Sequence, residues 1–139
     1  MQCVKLAFEV DGDSFSSAGN ASESVKRTLK QIGISAECVR RVAIAMYEGE
    51  INMVIHAHGG RAEVEIYADH ADIWLKDRGP GIENIELAMK EGYSTASENI
   101  RSLGFGAGMG LPNMKKYSDD MRIESTLGVG TTVYMRIDF

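Results

Sequence analysis

Cysteine, proline and tryptophan are scarce in this chain: two, two and one among 139 residues. Two cysteines, Cys3 and Cys38, are too few for a disulfide framework, and no secretory leader is visible, so a reducing, cytoplasmic setting with both thiols structural is the expectation. Long apolar runs are missing as well, which excludes a membrane-spanning helix. A basic excess is also lacking. The formal charge is −5 and the pI about 5.2, against a nucleic-acid groove, which needs a basic face to neutralise phosphates. Neither an internal repeat nor a low-complexity linker interrupts the chain, and 44% hydrophobic residues suffice for one core, so one domain over residues 1–139 is expected.

Glycine, by contrast, is concentrated. The stretch from Asp77 to Pro112 holds both prolines and seven of the fifteen glycines: Gly79, Gly81, Gly92, Gly104, Gly106, Gly108 and Gly110. Such density serves positive φ angles and close backbone approach, and a nucleotide is the natural object of that approach. The better-known glycine motifs do not fit the letters. No Lys follows these glycines in the phosphate-loop register, and Gly-x-Gly-x-x-Gly fails at Met109 and at Asn113.

Residues Val4 to Val10 alternate apolar and polar, which predicts a half-buried strand. Helices are predicted over about Phe15–Ile32, stopped by Gly33, and about Ala36–His58, closed by Gly59-Gly60. Two strands, Ala62–Ala68 and Ala71–Lys76, are predicted to join at an Asp69-His70 turn. A short helix over Ile85–Glu91, a helix over Leu111–Ser118 and a hairpin of Ile123–Thr126 with Thr131–Ile137 complete the pattern. Interleaved helices and strands with antiparallel pairs imply an α/β arrangement on a mixed sheet.

The second predicted helix carries a stripe that a plain amphipathic helix lacks. Glu48, Asn52 and His56 recur every four residues and share one face, among apolar Ile44, Ala45, Ile51 and Ile55. Polar groups on such a helix need partners, so the stripe is expected to look into a polar site. Glu50 projects to another face and is expected to be solvated. His56, near the helix end, is read as a cap or a packed ring before a catalytic group.

With Glu48-x-x-x-Asn52, the run Asp77-Arg-Gly79-Pro-Gly81-Ile82, the run Gly104-Phe-Gly106-Ala-Gly108-Met109-Gly110-Leu111-Pro112 and the closing Gly128-Val-Gly130-Thr131-Thr132, the chain resembles the GHKL superfamily of gyrase, histidine-kinase and MutL-like ATPases. Within it, the phrases DRGPGI, AMKEGYST and GMGLPNMKKYSDDMRIES are similar to the anti-sigma-factor serine/threonine kinases and the switch kinases of bacterial stress signalling. The resemblance implies a two-layer sandwich of the histidine-kinase-like (Bergerat) type, a mixed sheet with helices on one face and an ATP lid over about residues 83–110. It also implies ATP and Mg²⁺ as cofactors.

The same resemblance implies roles residue by residue. Glu48 matches the general base and Asn52 the magnesium ligand. Asp77 matches the adenine-binding carboxylate, although on its letters alone it also fits an ordinary Asp-x-Gly turn; Thr131 matches the adenine-site threonine, sharing Asp77 or a water through its hydroxyl. Gly79, Gly81 and Ile82 would line the base; Gly104, Gly106, Gly108, Met109, Gly110 and Leu111 would bind ATP, with backbone N–H groups from Gly108 to Asn113 pointing at the triphosphate. Arg101 is either a γ-phosphate contact or a surface arginine; Lys115 and Lys116 are by default a solvated face. The implied function is ATP-dependent phosphorylation of a small anti-anti-sigma (STAS-like) protein, and in one version a sigma factor is also held inactive. A non-catalytic ATP-binding module and a simple ATPase are the rival readings. Exposed strand edges leave room for a homodimer.

Overall fold

The computed structural model describes residues 3–12, 18–57, 59–82, 84–89 and 110–139. Five strands are present among them: β1 (Val4–Asp11), β2 (Gly59–Ile66), β3 (His70–Asp77), β4 (Asp120–Thr126) and β5 (Gly130–Asp138). The helices are α1 (Asn20–Gln31), α2 (Ala36–Ala57), α3 (Ile85–Ala88) and α4 (Gly110–Tyr117). Alternation in the strands sets one face of the sheet. Ala62, Val64 and Ile66 of β2, Ala71, Ile73 and Leu75 of β3, and Val133, Met135 and Ile137 of β5 are all buried on it. Helices α1, α2 and α4 cover this side through Val25, Leu29, Val42, Met46, Met53 and Met114, which form one core with the strands.

The strand order is β1-β2-β3-β5-β4, and every pairing is antiparallel. The two-layer sandwich with helices on one face is as expected; the mixed strand direction is not. Two helices separate β1 from β2, so the chain returns to the end it left and β2 runs back along β1. Strands β3 and β4 do run parallel, yet β5 lies between them and pairs antiparallel with both. Sequence order alone does not reveal that insertion.

Boundaries shift by small amounts. Gly59 and Gly60 open β2 rather than only closing α2, and the β2–β3 turn is Ala68-Asp69, with Tyr67 N donating to His70 O at 2.8 Å. His70 instead starts β3, stacked on the Tyr67 ring at 4.6 Å between centroids. At the same end of the sheet, Asp119 Oδ2 accepts from Asp138 N (2.7 Å) and Arg41 Nη2 (2.8 Å), tying α2 to the last strand. These bonds, the Asp138 N–H first, hold the Asp119 carboxyl below its ordinary range.

Helix α2 lies close on the sheet because position 49 has no side chain. A Cβ there would meet Leu75 Cδ1 at 2.0 Å and Met114 Cε at 3.2 Å. Both partners are buried, so neither can swing clear. Gly49→Ala gains about 1 kcal/mol of helix propensity but overpacks the core by about 1–3 kcal/mol. A net loss of up to about 2 kcal/mol in urea unfolding is the expected result, despite the better helix former.

Candidate functional site

The site lies where the second half of α2 stands above the ends of β2 and β3. A Cβ built on Gly60 would come within 2.7 Å of Met53 Cε and 2.8 Å of Asp77 Cα, so α2, β2 and β3 converge there. Asp77 ends β3 half-buried, and its Oδ1 accepts from Gly79 N (3.0 Å) and Thr131 N (2.9 Å). Among the described residues Oδ2 carries no bond. The carboxylate is therefore fixed by two backbone donors through one oxygen and leaves the other able to accept from a ligand.

The turn after Asp77 is held by the β4–β5 hairpin. Ile82 N donates to Ser125 Oγ at 2.7 Å, Ser125 Oγ lies 2.8 Å from Thr131 Oγ1, and Gly128 N donates to Pro80 O at 2.9 Å. Gly81 has φ +82°, and a Cβ on it would meet Thr126 O at 2.7 Å, so both conformation and space require glycine. Thr131 thus meets Asp77 through its backbone N–H, while its hydroxyl faces Ser125. Ser125 was not singled out by the sequence reading. A lone serine in a strand carries no local signal; only its position opposite Thr131 in the β4–β5 register points to it.

The other half of the site is the polar stripe of α2 against the start of α4. Glu48 and Asn52 stand one helical turn apart, both half-buried. Gly110 opens α4 directly against Asn52, for a Cβ there would lie 2.7 Å from Nδ2 and 2.8 Å from Oδ1. The Asn52 Nδ2 faces Met114 Sδ at 4.0 Å, and Oδ1 has no partner among the described residues. Asn113 Nδ2 reaches Glu48 Oε1 at 3.4 Å, a long contact that leaves the carboxylate available. Pro112 stands in the first turn of α4, and Leu111 packs against the core. Lys115 and Lys116 are exposed in the last turn, the solvated face that was the default reading.

Glu50 differs from expectation. It is 1% exposed, and its carboxylate caps α1 from the neighbouring helix: Oε2 accepts from Gly19 N (2.8 Å) and Ala21 N (3.3 Å), Oε1 from Ser22 N (2.7 Å). Gly19 has no side chain with which to cap α1 itself, so the orphan N–H groups of the first turn find their acceptor across the helix pair. Glu48 and Glu50 are therefore separated in environment: one at the cleft, one a buried cap. Glu50→Ala strands buried donors and is expected to cost about 3 kcal/mol in denaturant unfolding.

The expected Arg101, Gly104, Gly106, Gly108 and Met109 lie outside the described residues, as does the side chain of His56. No group of three or more His, Cys, Asp or Glu that could hold a metal occurs among the described residues. Asn52 Oδ1 is a neutral oxygen donor of the kind that suits Mg²⁺ when phosphate and water supply the other ligands. The donor set fits a nucleotide-bound ion.

Residues 15–137 match the family model described as the histidine kinase-like ATPase domain. Serine/threonine-protein kinase RsbT of Bacillus subtilis is 29% identical over 135 residues, covering 94% of this chain and 91% of that protein. The anti-sigma F factor of Pasteuria penetrans is 33% identical over 119 residues, covering 81% and 76%; that of Clostridium novyi is 30% identical over 122 residues, covering 84% and 82%. In structure, the chain resembles the RsbU and RsbW domains of a Mycobacterium tuberculosis protein, with TM-score 0.62, 15% identity, 96% of this chain covered and 32% of that one. The fold is shared with that structure, the family model spans most of the sequence, and the chain belongs to the histidine kinase-like ATPase domain family.

Proposed function

We propose that the chain is an ATP-dependent protein serine/threonine kinase of the switch-kinase type, acting on a small anti-anti-sigma (STAS-like) partner. The observation that carries this reading is the placement of Glu48: a carboxylate at the cleft, one turn from Asn52 and beside the first turn of α4. A protein that only sensed nucleotide would need Asp77 and Asn52 but no such base. The names of the relatives, a serine/threonine kinase and anti-sigma F factors, support the same reading.

In this mechanism Asp77 Oδ2 accepts from the exocyclic amino group of adenine, with Gly79, Gly81 and Ile82 along the base and Thr131 bracing the carboxylate. Backbone N–H groups at Gly110 and Leu111 turn toward the phosphates, helped by the positive end of α4. Gly104, Gly106, Gly108, Met109 and Arg101 belong to the lid in this reading. Asn52 would hold Mg²⁺, whose charge offsets that of the phosphates when bound. Glu48 takes the proton of the partner's hydroxyl as that oxygen bonds to the γ-phosphorus, and the bond to the β-phosphate oxygen breaks to leave ADP. Whether a sigma factor is also bound separates the anti-sigma version from the switch-kinase version. A cytoplasmic setting without membrane or nucleic-acid contact accords with the charge of −5.

γ-Labelled Mg-ATP incubated with the protein and a cytoplasmic extract of its own organism tests the reading. A small protein labelled on Ser or Thr is expected. Confirmed ATP binding with no labelled protein would favour the nucleotide-sensing module instead.

A further inference from the structure

The hydrogen bonds around the Asp77 turn leave one hydroxyl proton without an acceptor in the protein. Ser125 and Thr131 stand opposite one another in the β4–β5 register, their hydroxyl oxygens 2.8 Å apart. A hydroxyl has one proton to donate and two lone pairs with which to accept. One lone pair of Ser125 Oγ is taken by the Ile82 N–H at 2.7 Å. The Ser125 proton has two acceptors to choose from, Thr131 Oγ1 at 2.8 Å and Gly130 O at 3.5 Å, and only the first lies within the usual O–H···O range of about 2.5–3.0 Å. Ser125 therefore donates to Thr131. Only one proton fits between the two oxygens, so that of Thr131 is turned out of the pair, and its hydroxyl makes no other hydrogen bond among the described residues. Thr131 is 6% exposed, and a buried donor left unpaired is unfavourable.

We propose that Ser125 is a positioning residue for base recognition: by donating to Thr131 it fixes the Thr131 hydroxyl as a donor beside the Asp77 carboxylate. This role rests on the reading of Asp77 as the adenine-site carboxylate. Thr131 N donates to Asp77 Oδ1 at 2.9 Å, which keeps the two residues adjacent, the free Oδ2 an acceptor and the Thr131 O–H a donor. Adenine carries the complement, an amino donor next to a ring-nitrogen acceptor. Guanine carries a carbonyl next to an N–H, the reverse at both positions. Asp77 alone reads only the first of these groups. Without Ser125 the Thr131 hydroxyl is free to turn, and the ring nitrogen is no longer read.

The test compares the affinity of ATP with that of an analogue in which C–H replaces the ring nitrogen beside the amino group, both by isothermal titration. Wild type is expected to bind the analogue about tenfold more weakly, the fixed Thr131 proton being left without an acceptor. In Ser125→Ala the hydroxyl turns away from the C–H, and the ratio should fall to about twofold or less. Loss of the Ile82 anchor alone would weaken both nucleotides equally and keep the ratio. Thr131→Val should give the same low ratio, with no further fall in the double variant. Ser125→Thr retains the hydroxyl and should retain the wild-type ratio. Ser125→Cys, close in shape but only a weak donor, should lower it, and serves if urea unfolding shows that Ser125→Ala does not fold. Asp77→Asn, titrated in parallel, separates the two readings. Weakened ATP binding there, with the ratio unchanged in Ser125→Ala and Ser125→Cys, overturns the role of Ser125 and leaves the adenine site standing. Unchanged ATP binding in Asp77→Asn overturns both.

Discussion

Glu48→Gln abolishes phosphoryl transfer while ATP binding stays within about twofold of wild type. The substitution keeps the shape of the side chain, and an amide can still accept from Asn113 Nδ2, which lies 3.4 Å from Glu48 Oε1. What is lost is a carboxylate oxygen able to take the proton of the attacking hydroxyl. General-base contributions run to about 10²–10⁴-fold, so transfer should fall by at least two orders of magnitude. Stability should move by less than about 0.5 kcal/mol, because Glu48 is a half-buried cleft residue with one long bond. Glu50→Ala gives the opposite pattern, unfolding at lower denaturant because it strips the α1 cap. Single-turnover kinetics beside urea unfolding separates the two carboxylates, and equal transfer by Glu48→Gln removes Glu48 as the base.

Asp77→Asn weakens ATP binding about 100-fold, equivalent to about 2.7 kcal/mol. Oδ1 receives two backbone N–H groups, from Gly79 and Thr131, so the asparagine carbonyl must take that place to keep both bonds. The amide nitrogen is then forced into the position of Oδ2. A donor there confronts the exocyclic amino donor of adenine, and a hydrogen bond becomes a repulsive contact. The same donor suits the carbonyl that guanine carries at that position. Isothermal titration should therefore show the preference for ATP over GTP shrinking or reversing in the variant. Unchanged ATP affinity would remove Asp77 from the adenine site.

Much of the fold is visible in the letters because burial and periodicity coincide. The alternation of β1, β2, β3 and β5 marks which side chains face the helices, and the four-residue stripe of Glu48 and Asn52 does lie at the cleft. Features that depend on distant partners are not visible. Strand direction was misread because β5 inserts between β3 and β4, a matter of topology and not of any segment's composition. Glu50 was read as solvated because its partners, the N–H groups of Gly19, Ala21 and Ser22, lie about thirty residues away in sequence and belong to the backbone. Ser125 escaped notice for a similar reason: its role comes from register with Thr131 and from the Ile82 N–H. Gly49 shows the reverse case, a glycine outside the dense stretch whose meaning is packing against Leu75.

The most direct measurement is a phosphate balance. Wild-type protein, Mg-ATP and the purified acceptor are combined, and ADP, free phosphate and phosphoprotein are quantified in one sample. Transfer through Glu48 predicts one phosphoryl group on a partner Ser or Thr for each ADP formed, with free phosphate at background. ADP matched by free phosphate and no phosphoprotein would contradict that account and mark a simple ATPase.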